Sequence, residues 1–214
     1  MLNLKTPILL ALFILALASC HHKDNNPPQN VSPPPINSTT NVLGYGLLSK
    51  ICGIWDGGVT STTALGGYPE WIVDFRPISA SQVSAKNELD TLNDIFMSFF
   101  ITYHDSAYKL AFRNGGSFTG LKRVSYMEAD SVSETPSQSY YRFVDFVKGS
   151  QRVYAEVVFK GDSLILRSFT NKYNTLRAPT LHMEWRAKLQ DTTSCEAAKA
   201  AFGFPQKTLV KDFT

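Results

Sequence analysis

The chain has 214 residues, of which 43% are apolar, 18% charged and 12% aromatic, with a formal net charge of +3. That is enough chain for one sizeable core with appendages, at an apolar content ordinary for a folded domain. The near-neutral balance, without a basic run interleaved with aromatics, excludes the usual nucleic-acid patterns. Three cysteines at positions 20, 52 and 195 do not have zinc-site spacing.

Residues 1–19 read as a secretory signal. Lys5 supplies the positive start, and Pro7 to Leu17 is an almost unbroken apolar stretch, too short for a permanent membrane span. It ends in Leu17-Ala18-Ser19-Cys20, which resembles the bacterial lipobox. That resemblance implies cleavage before Cys20, diacylation of its sulfur with palmitate-type chains, and acylation of the new amino terminus. Several buried chains anchor stably where one is marginal.

Residues 20–42 carry Pro27, Pro28, Pro33, Pro34 and Pro35 among Asn, Gln and Ser. Such a segment cannot build a core and reads as an extended tether. About twenty residues at ~3.1 Å each reach roughly 60 Å in polyproline form. The tract His21-His22-Lys23-Asp24 is partly similar to surface-export signals of Bacteroidetes lipoproteins, and position 21 lacks the aspartate of inner-membrane retention. Together these imply an envelope protein, lipid-anchored at the outer membrane. The adjacent histidines read as solvated tether, so no metal is expected.

Residues 43–214 read as one antiparallel β domain. Asn41 to Lys50 is an apolar stretch, a short helix or turn closing one end. A strand follows through Ile51 to Thr60, with Gly53 and Trp55 on one face. Tyr68 to Pro77 is a second strand, setting Trp71, Val73 and Phe75 against Ile72, Asp74 and Arg76. Ser79 to Asp94 is polar and reads as a surface helix or long loop, a lid or a plain crossover. Ile95 to Tyr103 and Ala107 to Arg113 are strands joined by a turn at His104-Asp105-Ser106. Tyr108, Leu110 and Phe112 share a face, and Asn114-Gly115-Gly116 supplies the next turn.

Ser117 to Met127 returns as a strand, Glu128 to Gln138 is a loop, and Tyr140 to Val147, Arg152 to Phe159 and Leu164 to Thr170 form a meander. Thr180 to Leu189 is the last strand. Leu181, Met183, Trp185, Ala187 and Leu189 lie on one face, and His182, Glu184, Arg186 and Lys188 on the other, facing solvent. Cys195 to Phe202 is a C-terminal helix. The expectation is an all-β, up-and-down barrel of about eight to ten strands, which has room for one small ligand.

The segment Gly53-Ile54-Trp55 resembles the Gly-x-Trp signature of lipocalin-like, calycin-type barrels. The resemblance implies a barrel-floor motif in which Arg186 packs across Trp55, and a cavity for a small apolar or amphipathic ligand. The inward candidates are Trp71, Phe75, Tyr108, Phe112, Met183 and Trp185. The other reading is a filled barrel whose outer face meets an envelope protein partner. Gly53 to Gly57 with Tyr68-Pro69 is also somewhat similar to the opening of nitrobindin-type haem barrels, which place a haem-ligating histidine where Leu181-His182 stands. The solvent-facing register of His182 argues against haem, so no cofactor is expected.

With Cys20 lipidated, Cys52 and Cys195 are left as an even pair in an oxidising compartment. They suggest a disulfide, the alternative being two buried thiols. Catalysis is not expected. No nucleophile elbow, phosphate loop or His-Glu-x-x-His helix is present, and His104-Asp105-Ser106 are too close in sequence to form a relay. Five short Asp-Ser/Thr matches, such as Asp105-Ser106-Ala107 and Asp162-Ser163-Leu164, resemble O-glycosylation acceptors of exported Bacteroidetes proteins.

Overall fold

A computed structural model describes residues 42–62, 68–86, 97–115, 125–145, 153–171 and 178–202. The leader, Cys20 and the tether lie outside them. The period-two alternation of apolar residues gives each strand one buried face, and a closed barrel is one way to bury all of those faces at once.

The elements in order are α1 (Leu47–Ile51), β1 (Gly53–Ser61), β2 (Tyr68–Ser79), β3 (Gln82–Lys86), β4 (Met97–His104) and β5 (Ala107–Asn114). Then come β6 (Ser125–Glu134), β7 (Ser139–Asp145), β8 (Val153–Lys160), β9 (Ser163–Thr170), β10 (Thr180–Asp191) and α2 (Thr193–Phe202). Each strand pairs antiparallel with its sequence neighbour, and β1 pairs with β10, so the ten strands form a closed barrel without an edge. Among the described residues no helix is long and apolar enough to cross a membrane.

The two ends of the barrel differ. At the near end the hairpins are short and α1 forms a stopper. Leu47, Leu48 and Ile51 of α1 are fully buried, and Tyr45 Oη donates to Ala80 O at 2.9 Å. Trp55 Nε1 donates to Ile51 O at 2.8 Å, and its ring lies 5.9 Å from that of Phe159. Lys50 Nζ reaches Glu134 Oε1 and Ser139 Oγ, both at 2.7 Å, while Tyr141 Oη donates to Glu134. At the far end, the β1–β2, β3–β4, β5–β6, β7–β8 and β9–β10 connections fall mostly outside the described residues.

The stopper makes stability depend on alkaline pH. Burial, reinforced by the hydrogen bond to Glu134, pushes the Tyr141 hydroxyl far above its ordinary value of 10.0. Below that value the phenol is neutral both folded and unfolded, so its contribution is complete. Above it the unfolded chain ionises and the folded one does not, so stability falls as pH rises. Denaturation between pH 9 and 12 is expected to lose up to ~1.4 kcal/mol per pH unit through this group. Tyr141→Phe is expected to flatten that slope, and an unchanged slope would refute the assignment.

The middle of the barrel is an aromatic layer. Phe99 stacks on Phe112 with centroids 4.5 Å apart, and Phe75 and Phe143 lie 6.0 and 5.8 Å from Phe99. All four are fully buried.

Two expectations about elements are corrected. Gln82–Lys86, expected in a surface helix or loop, is β3, paired with both β2 and β4. Its Val83 and Ala85 face the core, but five residues carry too little alternation to stand out among serines. Residues 87–94 lie outside the described residues. The loop expected from Glu128 to Gln138 is mostly strand, since β6 runs to Glu134. A register shift between Ala129 and Ser131 breaks the alternation and hides the strand.

Cys52 and Cys195 form a disulfide, with Cα atoms 5.9 Å apart. It ties α2 to the start of β1, beside the seam where β1 meets β10. Gly53, in the motif at this seam, has φ +141°, and a Cβ there would meet Leu189 Cδ1 at 2.7 Å. At Gly57 a Cβ would collide with the Arg186 carbonyl across the seam. Glycine is therefore required at both positions by close backbone approach.

Candidate functional site

Above the aromatic layer the inner face of the far end becomes polar. Asn114 ends β5, Ser125 begins β6, Asp145 ends β7 and Thr170 ends β9, and each is buried. Ser168 is fully buried, two residues inward of Thr170. Trp71 and Trp185 join this tier from β2 and β10, with ring centroids 4.8 Å apart. The indole Nε1 of each, and both polar atoms of the Asn114 side chain, have no hydrogen-bond partner among the described residues. Buried polar groups are almost always paired, so such a cluster in one tier is unusual for a packed interior.

His182 belongs to the same end. Its expected solvent-facing position is corrected, since it is 4% exposed. The register between β10 and β9 shifts here: Leu181 stands opposite Phe169, and Met183 opposite Ser168. His182 is thus the extra residue of a β-bulge, which resets the in–out parity. Leu181, expected inward, is for the same reason 37% exposed. Backbone bonds from Thr62 N to His182 O, at 3.0 Å, hold the bulge against the end of β1.

Of the six inward candidates, Trp71, Phe75, Phe112 and Trp185 belong to the core cluster and Tyr108 and Met183 pack half-buried against it, and they separate into tiers. Trp71 and Trp185 lie in the polar tier, and Met183, partly buried, is beside the bulge. Phe75 and Phe112 are in the aromatic layer beneath. Tyr108 is near the other end of β5, its ring against Tyr103 at 5.2 Å. Phe75, Phe112 and Tyr108 are therefore separated from the polar tier by packing. The tier's remaining members escaped the sequence reading. Asn114 shares strand parity with Leu110 and Phe112, which is the signal that places it inward, but next to two glycines it read as a turn.

Arg186 does not cover Trp55. Its side chain is on the outer face, bridged to Glu184 at 2.6 Å, and its register partner on β1 is Gly58. Trp55 points inward and is capped by α1, so one strand face separates the two. Arg186 instead ends an outer charge ladder through Glu156, Arg167 and Glu184. Such exposed ladders add little net stability.

The turn His104-Asp105-Ser106 is a tight hairpin with φ of 49° and 63° at its two central residues. His104 Nδ1 and Glu128 Oε2 are 2.7 Å apart, and Asp105 completes a group with metal-ligand chemistry. Lys109 Nζ already sits 3.1 Å from Glu128, so the charge is met by an internal cation.

The fold and this interior define a closed antiparallel β-barrel with one stoppered and one polar-lined end. No protein-family model matches the chain, and no curated protein matches it. Among solved structures the chain is similar to one described as the crystal structure of Rv2717c from M. tuberculosis. The TM-score is 0.40 at 10% identity, over 68% of this chain and 96% of that one. At that level of similarity nothing about ligand or role passes between them.

Proposed function

We propose that this protein is a lipid-anchored envelope lipoprotein, a lipocalin-like barrel of Bacteroidetes type, that takes a small amphipathic ligand through its far end without catalysis. One observation carries the ligand reading: the interior is graded, with a solid aromatic layer below and buried, unpartnered polar atoms above. A barrel serving only as a packed scaffold has no use for such a tier, because apolar residues of similar shape there would be at least as stable. The apolar walls and polar rim fit a molecule with both characters. Anchoring rests on Cys20 and its lipobox-like surroundings. An outer-face contact with an envelope protein is the alternative role.

A second reading, a haem barrel of nitrobindin type, is favoured by the burial of His182 at the bulge. The residues fit it only in part. A haem disc needs apolar walls on both faces, whereas this rim carries Asn114, Ser125, Asp145 and Ser168.

Purification from the native host in mild detergent tests both readings. The intact mass is expected to carry acyl chains at Cys20, and organic extraction is expected to release one amphipathic species. An empty extract at full occupancy of folded protein would leave the filled barrel. A Soret band lost in His182→Ala would replace the first reading by haem.

A further inference from the structure

We infer that the stoppered near end seats on the bilayer that holds the anchor, with Leu43 and Ile78 entering the lipid surface, so that the polar-lined far end opens away from the membrane. This rests on the reading that Cys20 is acylated, and it goes further by assigning one face of the barrel to the lipid.

Exposure singles out these two side chains. Among the described residues four large apolar side chains are exposed. Ile72 on β2 and Leu181 on β10 are each 37% exposed and belong to the barrel wall. Leu43 and Ile78 are further out, at 62% and 51%, and both stand at the near rim. Isolated apolar residues are common on protein surfaces and mean little. These two are set together. Tyr45 Oη donates to Ala80 O at 2.9 Å, and that bond draws the segment carrying Leu43 against the β2–β3 turn that follows Ile78.

The backbone presents both side chains outward. Val42 and Tyr45, on either side of Leu43 and Gly44, are buried, so Leu43 is the residue that this segment turns to the outside. On β2, Pro77 pairs with Val83 and Ser79 with Gln82, which leaves Ile78 in the register shift between them. A bulge at a barrel rim re-aims a side chain. Neither residue closes the core, because Leu47, Leu48 and Ile51 of α1 already fill the near end.

The anchor segment arrives at the same place. Residues 20–41 link Cys20 to Val42, whose side chain is packed into the core at this end, so the segment joins the barrel one residue from Leu43. With Cys20 in the membrane, contact between this rim and the bilayer is intramolecular. Linkage then supplies a high effective concentration, and a small apolar contact is enough to populate the seated state. Exposed Asp105, Ser137 and Lys160 on the other near-end turns hold the rim at headgroup level, since deeper entry would strip water from charged groups.

The test uses the full acylated chain in vesicles of phosphatidylethanolamine and phosphatidylglycerol, with and without a nitroxide quencher on the lipid chains. A fluorophore is attached through Ala80→Cys, an exposed position beside the two apolar residues, or through Thr180→Cys, exposed at the far-end start of β10. The quencher is expected to remove about half or more of the emission at position 80, at the boundary of headgroups and acyl chains, and to leave position 180 unchanged. Leu43→Ser together with Ile78→Ser is expected to restore most of the emission at position 80. Its unfolding midpoint is expected to stay level, because both side chains are exposed. Equal quenching at both positions, or stronger quenching at 180, would overturn the orientation. Quenching at 80 that survives the double substitution would overturn the role of Leu43 and Ile78. A label at 80 that is shielded from water yet unquenched would give the rim to another occupant, such as residues 203–214 of this chain, and overturn the lipid assignment. Each of these results leaves the anchor standing. A chain whose intact mass carries no acyl group at Cys20 and that does not float with the vesicles would overturn the anchor and the inference together.

Discussion

Replacing Cys52 and Cys195 together by alanine is expected to lower the unfolding free energy by about 4–5 kcal/mol, the largest effect of any change considered. The two residues are 143 apart in sequence, so their bond closes nearly the whole barrel into one loop. In the chain-entropy model that loop removes a large set of conformations from the unfolded ensemble. The location adds to it. The bond joins α2 to β1 at the seam between β1 and β10, the pairing made by the two strands furthest apart in sequence. Alanine keeps the site apolar, and both cysteines are buried, so no stranded hydroxyl confuses the measurement. Denaturant titration of the double variant and of reduced wild type should give matching losses. A loss under about 1 kcal/mol in both would mean that the unfolded chain is already held by other contacts.

Phe112→Ala is expected to cost about 3–5 kcal/mol, the range for deleting a buried aromatic from a layer that cannot collapse. Phe112 is stacked on Phe99, meets Phe143 at 5.7 Å, and lies two residues below Asn114 on the same face of β5. Strands held in a closed hydrogen-bonded ring cannot move in to fill the gap, so the cavity term should persist. Calorimetric unfolding provides the check. A cost below about 1 kcal/mol would show that the layer is already loose and is not a floor to the polar tier.

The strands were legible in sequence wherever alternation was unbroken. β7 and β9 alternate strictly and β8 and most of β10 nearly so, and the short turns Lys160-Gly161-Asp162 and His104-Asp105-Ser106 mark the β8–β9 and β4–β5 hairpins. The pairing of Cys52 with Cys195 was legible as an even count after Cys20 is set aside, together with the expectation that first and last strands meet. Where reading failed, one cause recurs. A bulge adds one residue and inverts the face of everything beyond it, which sent His182 and Leu181 to the wrong sides and disguised the end of β6 as a loop.

By itself the sequence determined the all-β class, the C-terminal helix and most of the inward aromatic faces, because these follow from local periodicity and composition, and it offered the Cys52–Cys195 pair that the structure joins. Only the tertiary structure decided which inward residues share a level. Trp71, Asn114, Asp145, Ser168 and Trp185 come from five strands, and nothing in their spacing relates them. Strand register and barrel closure bring them to one end, above a layer of phenylalanines that the same registers place beneath. For Arg186 the alternation of β10 already gave the outward face, and the register of β1 against β10 sets it opposite Gly58, away from Trp55.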